Sequence, residues 1–154
     1  MAVARTITDF LQSRRARYAV VPHLHTETSR ETVQSARISA DQLAKAVVLA
    51  DDRGYLMAVV PSNRHVSTAR LSELLGRNLE LATENRIAPV FKDCDAGAIP
   101  PLGPAYGMDT IVDDSLVGQA VIYFEAGDHE QMIQVDGEVF LSLLREARHG
   151  QFTH

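Results

Sequence analysis

The stretch "KAVVLADDRGYLMAVVP", residues 45–61, carries the clearest structural signal in the chain. A β-branched apolar run leads into "DDRG", where aspartates and a glycine supply turn chemistry, and a second run ends at Pro61. This is the pattern of a β-hairpin. On its N-terminal side, "TSRETVQSARISADQLA" reads as two short helices, the first capped by Thr28 or Ser29 and the second by Ser39. Ser39 and Gln42 have the spacing of a capping box. Earlier still, "YAVVPH" (18–23) reads as a strand ending near Pro22. "TITDFLQSRRA" reads as a helix with Thr6 at its N-cap and Ile7, Phe10 and Leu11 on one face.

Beyond the hairpin, "STARLSELLG" predicts a helix from Ser67 that stops before Gly76. "NLELAT" alternates as a short strand, and Thr83 is placed to cap a helix in "TENRIAPVF". "DTIVD", "QAVIYFEAG" and "QMIQVD" predict three further strands. "GEVFLSLLREARHG" predicts a closing amphipathic helix with Phe140, Leu143 and Leu144 inward. Strands and helices alternate irregularly, without a strict βαβ rhythm, which favours an α+β fold with a mixed sheet. No repeat or low-complexity linker divides the chain, so residues 1–154 are expected to form one domain.

The composition, 45% hydrophobic and 23% charged over 154 residues, is that of a globular protein rather than a disordered one. No apolar run approaches the roughly 20 residues of a membrane span, and "MAVARTITDF" lacks a signal-peptide core. A cytoplasmic protein with no membrane partner is the expectation. Cys94, the single cysteine, is consistent with a reducing compartment. A net charge of −5 argues against extensive tracking along nucleic-acid phosphates, yet leaves room for gripping one end of a strand.

Nucleophile-elbow, Walker A and GxGxxG patterns are all missing. Cys94 has no local base, so it reads as a packed thiol. His23 and His25 in "PHLH" would share one face of an extended segment, but no third metal ligand stands at a familiar spacing. His149 and His154 read as surface groups. Lys45 is the only charge within "LAKAVVLA". It either meets an anionic or carbonyl partner or snorkels out at the strand end. The loop "CDAGAIPPLG" (94–103) concentrates glycines and prolines more than a simple corner requires. Such a loop either turns a corner or presents fixed backbone N–H groups to a ligand. Gly127, Asp128 and His129 form the crest between two expected strands.

Taken in order, "LAKAVVL", "GAIPPLG" and a strand closing on "FEAG" make the chain resemble the YbaK and prolyl-tRNA synthetase-associated editing domain family. The likeness runs from "FLQSRRARYAVVPH" to the final helix, with the GxxxP element Gly97–Pro101 and Lys45 as its most specific matches. It implies a mixed, strongly curled, barrel-like sheet flanked by helices. It also implies trans-editing deacylation of mischarged aminoacyl-tRNA, without metal or organic cofactor. The terminal adenosine and its ester would lie between the lysine and the loop. Lys45 would hold the ester carbonyl or terminal phosphate, and the amides around Gly97, Ala98 and Ile99 would receive the oxyanion. Pro100, Pro101, Gly127, His129, His23 and His25 are the implied substrate-binding residues, with Ser29 beside them. The family is also taken to use the vicinal ribose hydroxyl to activate water. Ala46 departs from a polar residue in some relatives, the alanine-specific members among them. The partner implied is the aminoacyl-tRNA acceptor end, with Arg14, Arg15 and Arg17 as candidate contacts and an aminoacyl-tRNA synthetase as a further candidate partner. The competing readings are a non-catalytic tRNA- or synthetase-binding module of the same fold and a deacylase for another small acyl ester.

Overall fold

A computed structural model describes residues 3–154. Its elements run α1 (Arg5–Ser13), β1 (Ala19–Pro22), α2 (Ser29–Ala36), β2 (Leu43–Asp51), β3 (Gly54–Pro61), α3 (Thr68–Leu75), β4 (Glu80–Leu81) and α4 (Glu84–Ile87). They continue with β5 (Asp109–Asp113), β6 (Val121–Glu125), β7 (Gln131–Asp136), α5 (Gly137–Leu143) and β8 (Arg148–Gly150).

The expected hairpin is β2–β3, antiparallel from Ala44↔Pro61 to Asp51↔Gly54. Its turn is fixed at both ends. Gly54 takes φ +125°, which a side chain would resist, and the Asp51 carboxylate accepts the Arg53 N–H at 2.9 Å. Arg77 then clamps Asp51 through two hydrogen bonds of 2.8 and 2.7 Å. That fork holds the Asp51 carboxyl far below the usual carboxylate range.

Around the hairpin the strand order is β1-β7-β6-β2-β3-β5-β8, with β4 added to β2. The β2–β6, β3–β5 and β5–β8 pairs are parallel and the others antiparallel, so the sheet is mixed as expected. Pairing among the described residues ends at β1 and β8. The sheet is therefore open, without the closure of a barrel.

Strand alternation sends β3 side chains to two cores. Met57 and Val59 join Ile7 and Leu11 of α1 and Phe140 and Leu143 of α5 on one face. Leu56, Ala58 and Val60 pack with Leu71 of α3 and Phe152 on the other. Most of these side chains have essentially no exposure. The end of the chain is tied down by Asp113, which accepts the Phe152 N–H and the Thr153 hydroxyl, both at 3.1 Å.

Several local expectations are corrected. Thr6 does not cap α1. The helix begins two residues earlier, after Ala4, and the Thr6 N–H bonds the Asp93 carboxylate at 2.9 Å. Thr28, not Ser29, caps α2 by accepting from the Glu31 N–H. The Ser39 capping box does not form, because residues 40–42 make a single 3₁₀ turn and β2 starts at Leu43. Lys45 thus lies inside the strand. The Thr83-capped helix stops at Ile87, two residues before Pro89, which has no N–H to continue the helical hydrogen bonds. The last helix ends at Leu143, and Arg148–Gly150 instead adds a parallel strand to β5.

Candidate active site

The β3 edge of β2 is fully paired, whereas its opposite edge is shared. Leu43 and Ala44 pair with β6, and Leu49 and Ala50 pair with β4. The Ala82 N–H reaches the Val48 carbonyl at 3.0 Å. Between these contacts Lys45–Val47 has no strand partner on that edge. A cavity of ≈ 280 Å³ occupies the gap. Leu43, Ala46, Val48, Ala82, Ile87 and Ile99 give it an apolar lining, and Ser29, Lys45, Glu84, Glu125 and the Gly97 backbone supply polarity.

Lys45 is half-buried and forms no ion pair among the described residues. Burial lowers its pKa from the usual lysine value, since a desolvated ammonium favours losing its proton. As to the two readings open from sequence, the described residues supply no partner for the ammonium, and Lys45 borders the cavity.

The glycine-proline loop forms the facing wall. Gly97 takes φ +80°, and the Ala98 N–H closes a turn onto the Asp95 carbonyl at 3.1 Å. Ala98 is fully buried and does not line the cavity, so its amide is committed inside the loop. Gly97 and Ile99 do line it, and neither N–H has a partner among the described residues. Pro100 and Pro101, both buried, have no N–H and fix the loop's exit.

His129 supports this loop from outside the cavity lining. Its Nε2–H donates to the Ala96 carbonyl at 2.6 Å, the carbonyl partner fixing the tautomer. Its ring packs so closely under Gly97 that a β-carbon there would stand 3.3 Å from Cε1. Gly127 anchors the loop's start, accepting the Asp95 N–H at 2.7 Å. At φ +117°, with the Ala4 β-carbon 3.1 Å from where its own would stand, it also resists a side chain. Cys94 is half-buried, hydrogen-bonded to Tyr106 at 3.2 Å, and pushed up to about 12 by burial. It is a packed thiol.

The two histidines of "PHLH" part company. The His23 side chain is fully buried, with Nδ1–H on the Leu24 carbonyl at 2.6 Å and Nε2 2.8 Å from Glu125 Oε1. His25 is exposed, 2.7 Å from Glu27, whose hydrogen bond raises its pKa. Neither lines the cavity. No group of three or more His, Cys, Asp or Glu side chains among the described residues is placed to hold a metal ion. Arg14, Arg15 and Arg17 are exposed and outside the cavity lining, with Arg14 lying over Phe10 at 4.8 Å.

Sequence reasoning missed Glu125. As the last residue of β6 it reads as an ordinary strand end, and only the non-local β2–β6 pairing brings it beside Lys45.

With this geometry in hand, a family model described as an aminoacyl-tRNA editing domain matches residues 23–143. The chain belongs to that family. The match spans the unpaired stretch of β2, the glycine-proline loop and Glu125. No curated protein sequence matches the editing domain described here. Solved structures do. One, provisionally named a trans-editing enzyme for prolyl tRNA synthetase, superposes with a TM-score of 0.82 at 20% identity, covering 98% of this chain and 96% of that one. A hypothetical protein, APE2540, gives 0.85 at 17% identity over 97% and 100% of the two chains. A protein from Marinobacter aquaeolei VT8, provisionally assigned to signal transduction, gives 0.79 at 22% identity. It covers 96% of this chain but 30% of that longer one. At these identities the likeness establishes the fold. No helix of the described residues is long and apolar enough to cross a membrane.

Proposed function

We propose that this editing domain is a trans-acting deacylase that hydrolyses the ester of tRNA mischarged with a small amino acid. The observation that carries the proposal is one cavity with an unpartnered Lys45 ammonium on one wall and unpartnered Gly97 and Ile99 amides on the other. Its volume of ≈ 280 Å³ is at the low end for ligand sites, which suits a small aminoacyl group next to a terminal ribose.

An aminoacyl ester is already reactive, so oriented donors and water suffice without a protein nucleophile. Water adds to the ester carbonyl carbon, and negative charge gathers on the carbonyl oxygen. The Gly97 and Ile99 N–H groups stabilise that charge in a loop held rigid by His129 and the prolines. Lys45 holds the ester carbonyl or the terminal phosphate. When the intermediate collapses, the bond to the ribose oxygen breaks and a proton originating from water passes to that oxygen. Free amino acid and uncharged tRNA leave. The vicinal ribose hydroxyl assists the water, as the family resemblance implies.

The test is a panel of tRNAs charged with Ala, Ser, Thr or Cys. Hydrolysis of at least one ester well above background, abolished in large part by Lys45→Ala, is the expected result. Uniform inactivity with tRNA binding retained would replace this reading with a non-catalytic binding module.

A further inference from the structure

Ala44 of β2 and Phe124 of β6 are register partners, and both turn into the larger core. By alternation, the next residue on each strand, Lys45 and Glu125, turns to the opposite face. Both line the cavity, yet they form no ion pair with each other. A cation and a carboxyl thus line one pocket without pairing with each other.

The Glu125 carboxyl is held at one oxygen only. Oε1 lies 2.8 Å from His23 Nε2, off the line of a full hydrogen bond, and 3.1 Å from the Thr32 hydroxyl. That hydroxyl has one hydrogen to give, with the Thr28 carbonyl also within reach at 3.1 Å, and it lies 2.6 Å from the Thr26 hydroxyl, which can donate to it. Oε2 is buried and has no partner. A buried carboxylate oxygen without a donor is costly to leave so, which makes the site a receptor for a donor carried by a ligand. Glu84, the other carboxylate of the lining, is exposed and belongs to the rim.

We propose that Glu125 recognises the free α-ammonium of the aminoacyl ester, so that the site selects aminoacyl esters over N-acylated ones. The inference rests on the editing reading above. The substrate's carbonyl or phosphate oxygen lies toward Lys45, and its ammonium donates to Glu125. Thr32 is a positioning residue, its hydroxyl meeting Oε1 at 3.1 Å, with the His23 ring packed beside the same oxygen. Burial raises the Glu125 carboxyl above its usual range, and an arriving ammonium reverses that pressure by favouring the charged form.

The experiment compares an ester that the wild-type protein hydrolyses with the same aminoacyl-tRNA acetylated on its α-nitrogen. The wild type is expected to favour the free amine by about 10- to 100-fold in kcat/KM, the range of a charge-assisted hydrogen bond. Glu125→Gln should lose that factor, hydrolysing the free and the acetylated ester at similar rates. Equal hydrolysis of the two esters by the wild type, which needs no variant, would overturn the proposal and leave the editing reading standing. So would undiminished preference in a folded Glu125→Gln protein. If no ester of the charged panel is hydrolysed, the editing reading itself is overturned, and this proposal with it. Thr32→Val supplies a second variant that leaves Glu125 in place. A partial loss of preference for the free amine is expected there.

Discussion

Along its β3 edge, β2 is paired without a break from Ala44 to Asp51, whereas its other edge is paired at both ends and open between them. The same residues serve both edges. On the closed side the backbone is satisfied by the hairpin, with buried side chains at Leu56–Val60 packed behind it. On the open side the strand borders a cavity, and Lys45, Gly97, Ile99 and Glu125 leave donors or acceptors that the protein does not meet. Native proteins satisfy nearly all their buried polar groups, and of these four residues only Glu125 carries a buried side-chain polar atom, Oε2, that is left unmet. The hairpin supplies the rigidity, and the split edge supplies the space.

If that contrast is right, changes on the open edge should remove activity while sparing stability. Lys45→Met is the largest expected effect, with kcat/KM for a hydrolysed ester falling about 100-fold or more, the scale of losing one charge-stabilising group. Because the ammonium has no protein partner, the variant's Tm should equal or exceed the wild type's. A large fall in Tm would mean that Lys45 belongs to the scaffold. The wild-type rate above background should decline on the alkaline side as Lys45 loses its proton, earlier than an exposed lysine would, since burial lowers its pKa.

Gly97→Ala sits where the two regions meet. A non-glycine residue at φ +80° costs about 1–2 kcal/mol, and the new β-carbon presses on His129. Deacylation should fall by about 10-fold or more as the loop's donors shift, with a fall in Tm of a few degrees. Unchanged kinetics alongside the lower Tm would show that the loop is only a corner.

Glu125→Gln should reveal itself in stability as well. The folded state holds the Glu125 proton to a higher pH than the unfolded chain does, so wild-type stability is lost as pH rises through the raised pKa. The glutamine variant has no such loss. Its Tm relative to wild type should therefore increase from acid to neutral pH, whereas a pH-independent difference would mean the carboxyl titrates normally. Cys94→Ala is the smallest expected effect. With a thiol pushed up to about 12, there is no thiolate to act, and deacylation should stay within about twofold of wild type.

The hairpin was legible in the sequence because both its strands and its turn are local, and Lys45 stood out as a lone charge in an apolar run. The glycine-proline loop was legible as a special backbone, but which amides remain free was not. That depends on the Ala98–Asp95 turn and on His129 arriving from a distant crest. Glu125 was invisible because a parallel, non-local strand pairing brings it to Lys45. "PHLH" misled in one respect, since alternation placed both histidines on one face, while the chain after Pro22 leaves the strand and separates them. β8 escaped notice because a three-residue strand lacking apolar periodicity is defined only by its partner β5.

The most direct measurement is a titration of the isotope-labelled protein with a hydrolysis-resistant, amide-linked analogue of 3′-aminoacyl adenosine, read by backbone amide NMR. The Gly97 and Ile99 amide signals and those of Lys45–Val47 should move together, while the Ala98 amide and the β3 strand hold still. Saturable binding that shifts signals elsewhere and leaves Gly97, Ile99 and Lys45 unmoved would contradict the assignment of the open edge of β2 as the editing site.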